Sequence, residues 1–160
     1  YKGRMEYFFG KMTIYRSFPE DALDMLLFFL RKHFGSWDTE VNSRFDRMVI
    51  PKNPIRIRFS RKFNRIFTGE DFRADYKILK REIQAMGVNI PPLVNTYMNL
   101  SPSMIYFGTG INDEFADVLD SGILINFNEM YPEKKERHTD TFLKEGWRSI
   151  RARLKRFQRS

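Results

Sequence analysis

Four carboxylates crowd one short stretch of the chain: Asp113, Glu114, Asp117 and Asp120 lie in a polar run from Asn112 to Ser121. Carboxylates grouped this closely could grip an ammonium group or take a proton as a general base. The same residues also suit a solvated turn held by Asx hydrogen bonds. Just upstream, Gly108-Thr109-Gly110 suits a bend or a close backbone approach. It lacks the third glycine and the strand–turn–helix setting of a dinucleotide fingerprint. Tyr97, Tyr106 and Phe107 could line an acyl pocket, or they could belong to the core, as aromatic residues at such spacing usually do. The two histidines, His33 and His138, are too far apart in sequence to suggest a metal site, and none is expected. With no cysteine there is no disulfide, thiolate metal site or Cys nucleophile. No nucleophile elbow or phosphate loop is present. Residue types alone therefore assign no catalytic residue.

The elements that must position these groups are legible from periodicity. Tyr7 to Tyr15 (YFFGKMTIY) reads as a buried strand, with Gly10 as a bulge or a close approach. Ser17-Phe18-Pro19-Glu20 matches a capping box. The helix that follows has Asp21 and Asp24 near its positive end and Arg31, Lys32 and His33 near its negative end, with Gly35 as the stop. Leu23, Met25 to Leu30 and Phe34 leave it almost no polar face, as in a central crossover helix. Ile55, Ile57 and Phe59 alternate with Arg56, Arg58 and Ser60, which reads as a half-buried strand or extended segment with a cationic outer face. Thr68 with Asp71 suggests a second N-cap. Phe72, Tyr76, Leu79, Ile83 and Met86 then recur at helical spacing up to Gly87, leaving Arg73, Asp75, Lys77 and Lys80 for solvent.

Ile90-Pro91-Pro92 opens a short helix with Leu93, Tyr97 and Leu100 on one face and Asn95 and Asn99 off it. Met104 to Gly108 and Ile123 to Phe127 read as antiparallel strands joined by the polar loop. Another helix is expected near Tyr131-Pro132. The tail places Trp147, Ile150, Leu154 and Phe157 on one apolar stripe flanked by arginines.

Length and composition bound the class. A chain of 160 residues is one domain with enough residues for a core. An apolar content of 42% argues against disorder. The longest apolar run, Met25 to Leu30, is far short of the ~20 residues of a membrane span, and no signal peptide is evident. The net charge of +8 is concentrated. Arg47, Lys52, Arg56, Arg58, Arg61, Lys62 and Arg65 form a block with no acid between residues 47 and 66, and a second block fills the tail from Lys144. Such fields attract an anionic partner or simply solubilise a face.

The order YFFGKMTIY, crossover helix, DYKILKREIQAMGVNIPPLVNTYMNLSPSM, FGTGINDEF and GILI resembles the second half of the ornithine-lipid and glycine-lipid N-acyltransferases. These belong to the acetyltransferase-like (GNAT-like) group often labelled hemolysin. The resemblance runs from about Tyr7 to Phe142. Its most specific pieces are Tyr7-Phe8-Phe9-Gly10-Lys11, Asp75-Tyr76-Lys77 and Ile90-Pro91-Pro92-Leu93-Val94-Asn95 with Tyr97-Met98. It implies an α+β (α/β mixed-sheet) fold in which YFFGKMTIY is the fifth strand and residues 104–127 carry the last hairpin. The first four strands would precede Tyr1.

The domain expected is thus residues 1–142, the C-terminal half of a GNAT-like domain, followed by a basic amphipathic tail over 143–160. The implied activity moves a 3-hydroxyacyl chain from the phosphopantetheine thioester of acyl carrier protein to the amino group of an amino acid, with no bound cofactor. A partner O-acyltransferase would complete the lipid. The substrate-binding residues carried over are Asn95, Tyr97, Asn112, Phe115 and Asp117. Arg56, Arg58, Arg61, Lys62 and Arg65 are the expected dock for the acidic carrier protein. Trp147, Arg148, Arg151 and Lys155 are the expected contact with an anionic membrane surface. The location implied is cytoplasmic, peripheral on the inner face of the membrane. The alternative is a non-catalytic basic module that binds anionic membrane or an acidic protein. Nucleic acid is the least supported partner, because no recognised binding fold is present.

Overall fold

The computed structural model describes residues 6–35 and 51–135. The tail, with Trp147, Arg148, Arg151 and Lys155, lies outside the described residues. The architecture is mixed α+β, with helices packed on a three-stranded antiparallel sheet. This order is consistent with part of a GNAT-like fold. Strand β1 is Tyr7–Ile14 and is followed by helix α1, Glu20–Phe34. Helices α2 (Ser60–Ile66), α3 (Phe72–Ala85) and α4 (Pro92–Met98) lead to the hairpin of β2 (Ile105–Asn112) and β3 (Val118–Asn126). The sheet order is β1-β3-β2, so the hairpin's second strand is central.

Alternation along the strands divides the sheet into two faces. Met12, Ile14, Ser121, Ile123 and Ile125 are buried on the face that joins the hydrophobic core. Helix α1 covers that core. Met25 to Leu30 are all buried, with Phe29 and Leu26 fully so, and each such side chain contributes about 1.5–3 kcal/mol on burial. Phe29 sits among Phe67, Phe72 and Tyr76 with ring centroids 5.6–6.4 Å away, which locks α1 to α3. The crossover role expected of this helix is borne out.

Several local expectations change. The capping box is absent: the N-cap of α1 is Pro19, with no side-chain bond, and Glu20 is exposed and pairs with Arg58 Nη2 at 3.1 Å. Proline fixes the chain entering the helix, so the serine is not needed. β1 is only half-buried: Phe8 and Phe9 are exposed, since among the described residues this strand has a neighbour on one side only. Gly10 is a close approach and not a bulge. Its pairing with Ile123 is continuous, and an added Cβ would lie 2.8 Å from the Phe8 ring. Residues 55–58 are extended and alternate in exposure, but they form no strand. They are tied to β2 by the Ile55 N–H donating to the Thr109 carbonyl at 2.9 Å.

Helix α3 is capped by Asp71, whose side chain accepts from the Ala74 N–H at 2.8 Å. Asp71→Ala should cost about 1 kcal/mol, read as a lowered urea midpoint with an unchanged slope. Asp75 is not a solvent residue: it is fully buried. In α4 Val94 and Met98 are buried; of the expected Leu93–Tyr97–Leu100 stripe, Leu100 is buried and Tyr97 packs against the core, while Leu93 is 44% exposed. The hairpin strands are longer than expected, and only residues 113–117 remain as the turn. A helical turn does start at Pro132.

Candidate functional site

The second sheet face carries Phe9, Lys11 and Thr13 from β1, Asp120 and Gly122 from β3, and Gly110 and Asn112 from β2. Register places Thr13, Asp120 and Gly110 in one row across the three strands. At the centre, Asp120 accepts from Lys11 Nζ, Thr13 Oγ1 and Asn112 Nδ2, each at 2.7 Å. Burial raises the Asp120 carboxyl, but these three donors outweigh it and hold it below its ordinary value. Asp120 is thus an ionised anchor that orients its neighbours, with its lone pairs largely committed.

Over this row runs a strap, residues 51–54. The Ile111 N–H donates to the Asn53 carbonyl at 3.0 Å. Gly110 permits the approach, for a Cβ there would stand 2.1 Å from the Lys52 carbonyl oxygen. Lys52 Nζ lies 3.3 Å from Glu114 and 3.4 Å from Asp113, and these two carboxylates keep its ammonium above its ordinary value. Strap, sheet and turn enclose a groove of about 260 Å³ with Lys11 and Lys52 opposite Asp113, Glu114 and Asp120. Phe9 of β1 lines the groove, and Phe107 of β2 lies 6.4 Å from its ring.

A second groove, of about 650 Å³, runs between the end of β1 and residues 88–93. Ile14, Tyr15, Phe18, Val88, Pro91 and Leu93 give it mostly apolar walls. Thr13 lines this groove and Asp120 lines the charged one, so the two adjoin at the Thr13–Asp120 hydrogen bond.

The Gly-Thr-Gly bend is present on β2. Pairing with β3 shifts register between Tyr106 and Thr109, and Gly108 adopts φ +107. The extra residue turns Tyr106 and Thr109, three apart, onto the same face. Tyr106 Oη then meets Thr109 Oγ1 at 2.7 Å, and Thr109 meets Ser121 Oγ at 2.6 Å, all buried. Burial pushes the Tyr106 phenol up to about 12, so it is neutral at physiological pH. Tyr106 is therefore a core residue; Phe107 is half-buried on the other face.

The residues expected to bind substrate fall into three places. Asn112 is in the charged groove. Phe115 is 65% exposed at the hairpin tip, and Asp117 beside it offers its carbonyl to Arg16 Nε at 2.9 Å. Asn95 accepts from the Tyr76 hydroxyl and from Asn99, tying α4 to α3, with Tyr97 packed against the core. Of the five expected docking cations, Arg58 is committed internally: its Nε donates to Asp24 at 2.7 Å. Arg56, Arg61, Lys62 and Arg65 are exposed. Sequence reading missed Lys11, Thr13 and Lys52. The strand alternation of Lys11 and Thr13 was a usable signal, whereas nothing local marks Lys52 as folding over Gly110. Among the described residues, no group of three His, Asp or Glu side chains could hold a metal ion, and no helix is long and apolar enough to cross a membrane.

The chain is similar to two proteins named glycine N(alpha)-acyltransferase. It is 45% identical to that of Phocaeicola vulgatus over 145 residues, covering 90% of this chain and 42% of the relative. It is 46% identical to that of Bacteroides thetaiotaomicron over 140 residues, covering 87% of this chain and 39% of the relative. The chain thus spans about two fifths of the length of these relatives. No family model and no solved structure matches it.

Proposed function

We propose that the chain forms the second half of an N-acyltransferase that joins an acyl chain to the amino group of glycine. The observation that carries this is the meeting of two grooves of opposite character at Thr13–Asp120. An apolar groove suits an acyl chain. A groove with ammonium groups on one side and carboxylates on the other suits the two charges of an amino acid. The names of the two relatives supply the same pairing, an acyl group and glycine.

The donor fitting this chemistry is the thioester of an acyl carrier protein, with a 3-hydroxyacyl chain, and the product is an aminolipid precursor. The neutral amine attacks the thioester carbon, the carbon–nitrogen bond forms, and the carrier's thiolate leaves. The amine's proton passes to a carboxylate or an ordered water. Lys11 contacts the acceptor carboxylate, with Asp120 as its positioning residue.

The test is a chimera in which this chain replaces the matching segment of the Bacteroides thetaiotaomicron relative, with cooperative unfolding checked first. Loaded carrier protein and glycine should give the N-acyl product. A folded chimera that acylates no amino acid would sink the proposal. In the active chimera, Lys11→Met should raise KM for glycine about tenfold, the loss of one charge-assisted hydrogen bond, with kcat within about twofold. An unchanged KM would remove Lys11 from the acceptor site.

A further inference from the structure

One aromatic side chain is held outward against its own backbone preference. Phe59 is 57% exposed and takes the left-handed conformation, φ 58 and ψ 25, as the N-cap of α2. A bulky residue persists there only when its surroundings impose it, and such positions tend to be functional. The surroundings do impose it. Asp24, buried on α1, accepts from both the Arg58 backbone N–H at 3.2 Å and its Nε at 2.7 Å. That grip fixes the chain one residue before Phe59, and the Arg58 guanidinium lies 5.6 Å from the centre of the Phe59 ring. Downstream, the Phe63 N–H donates to the Phe59 carbonyl at 3.1 Å, starting α2.

Around this ring the surface is cationic. Phe63 is the buried residue of α2, so the helix presents Arg61, Lys62 and Arg65 to solvent, and Arg56 is exposed on the approach. Glu20, Asp21 and Asp24 pair with Arg58, and the other four cations have no carboxylate within ion-pair distance among the described residues.

We infer that this Phe59-centred face docks on an anionic phospholipid surface. Size and chemistry decide between that and an acidic protein. A stable protein interface needs about 800 Å² per partner and a central apolar cluster. Helix α2 has seven residues, and Phe59 is the only large apolar side chain exposed on it or on the approach from Arg56. A lipid headgroup layer asks for less. It takes one aromatic ring at its boundary and a few arginines or lysines beside the phosphates, with no shaped pocket. The inference does not depend on the acyltransferase reading.

The cysteine-free chain allows a local test. Phe59→Cys carries an environment-sensitive fluorophore, and Lys80→Cys, exposed on α3, carries the same probe as reference. With vesicles containing about one-third phosphatidylglycerol, the probe at 59 should shift to the blue and lose access to an aqueous quencher. The probe at 80 should not, and neutral phosphatidylcholine vesicles should leave both unchanged. In the otherwise native chain, Arg61→Gln with Lys62→Gln should weaken vesicle binding about tenfold, and raised salt should do the same. Binding without a change at 59 would place the contact elsewhere and overturn the inference. A shift on adding an acidic carrier protein, with none on anionic vesicles, would overturn it in favour of a protein dock.

Discussion

Replacing Asp75 with alanine is expected to cost about 3 kcal/mol of folding stability, the largest effect of any single polar change in the described residues. Asp75 is fully buried on α3. Its Oδ2 accepts from Lys32 Nζ at 2.6 Å and pairs with His33 Nε2 at 2.9 Å, and its Oδ1 accepts from the Gly69 N–H at 2.7 Å. Removing it strands all three donors. Lys32 keeps 31% of its side chain in solvent and also donates to the Phe67 carbonyl, which places the cost at the low end of the ~3–5 kcal/mol range for breaking a buried pair. Urea denaturation at pH 7 measures it; a loss under about 1 kcal/mol would mean the cluster is wetter than its burial implies.

The same cluster sets a pH dependence. Burial raises the Asp75 carboxyl, yet the bonds from Lys32, Gly69 and His33 outweigh it and keep it below its ordinary 3.8. Its contribution is therefore present above that value and lost as pH falls through the lower folded one. Burial also lowers His33 below 6.5, more than its Asp75 bond restores. The unfolded chain then takes up a proton before the folded one does, so stability begins to fall as pH drops below 6.5. Two declines are expected on acidification, and Asp75→Ala should shrink the lower one to the part that Asp120, also held below its ordinary value, contributes.

Gly110→Ala is the second large effect, about 3 kcal/mol, at the upper end for overpacking. The new methyl would stand 2.1 Å from the Lys52 carbonyl oxygen and 3.2 Å from Pro51 Cβ. The strap must lift, breaking the bond from Ile111 to Asn53 and the adjoining one from Ile55 to Thr109. Faster amide exchange at Ile55 and Ile111 is the local signature. Gly87→Ala is the comparison: it has φ +79 but no atom within 4 Å of the added carbon, so it should cost only about 1 kcal/mol. The reverse ranking would show that the strap does not rest on Gly110.

Periodicity carries the reading of α3 and the hairpin because each has one strongly apolar face, and the near-continuous apolar run Met25 to Leu30 marks α1 as buried. Periodicity fails where long-range charge decides. The helical spacing leaves Asp75 for solvent, and it is Lys32 and His33, 43 and 42 residues away, together with the Gly69 N–H, that make it a core residue. Ser17 before α1 and Glu20 at its first position look like a capping box, but the N-cap is Pro19 and Glu20 pairs with Arg58. The site was legible in part: Asn112 and Asp120 lie in the polar run, and the glycine pair announced a close approach. Lys11 and Thr13 are marked only by their alternation within an aromatic strand, and nothing local says which segment covers Gly110.

Helix α1 is gripped by charge at both ends. Asp24 holds Arg58 across 34 residues, and Lys32 holds Asp75 across 43. Both contacts close long loops, so chain-closure entropy must be met before either is rewarded. Closure entropy grows slowly, by about 0.6 kcal/mol per doubling of loop length. The two ends therefore gather their distant segments at nearly equal entropic cost, and lengthening the chain between Gly35 and the strap should cost far less stability than loosening either end of α1.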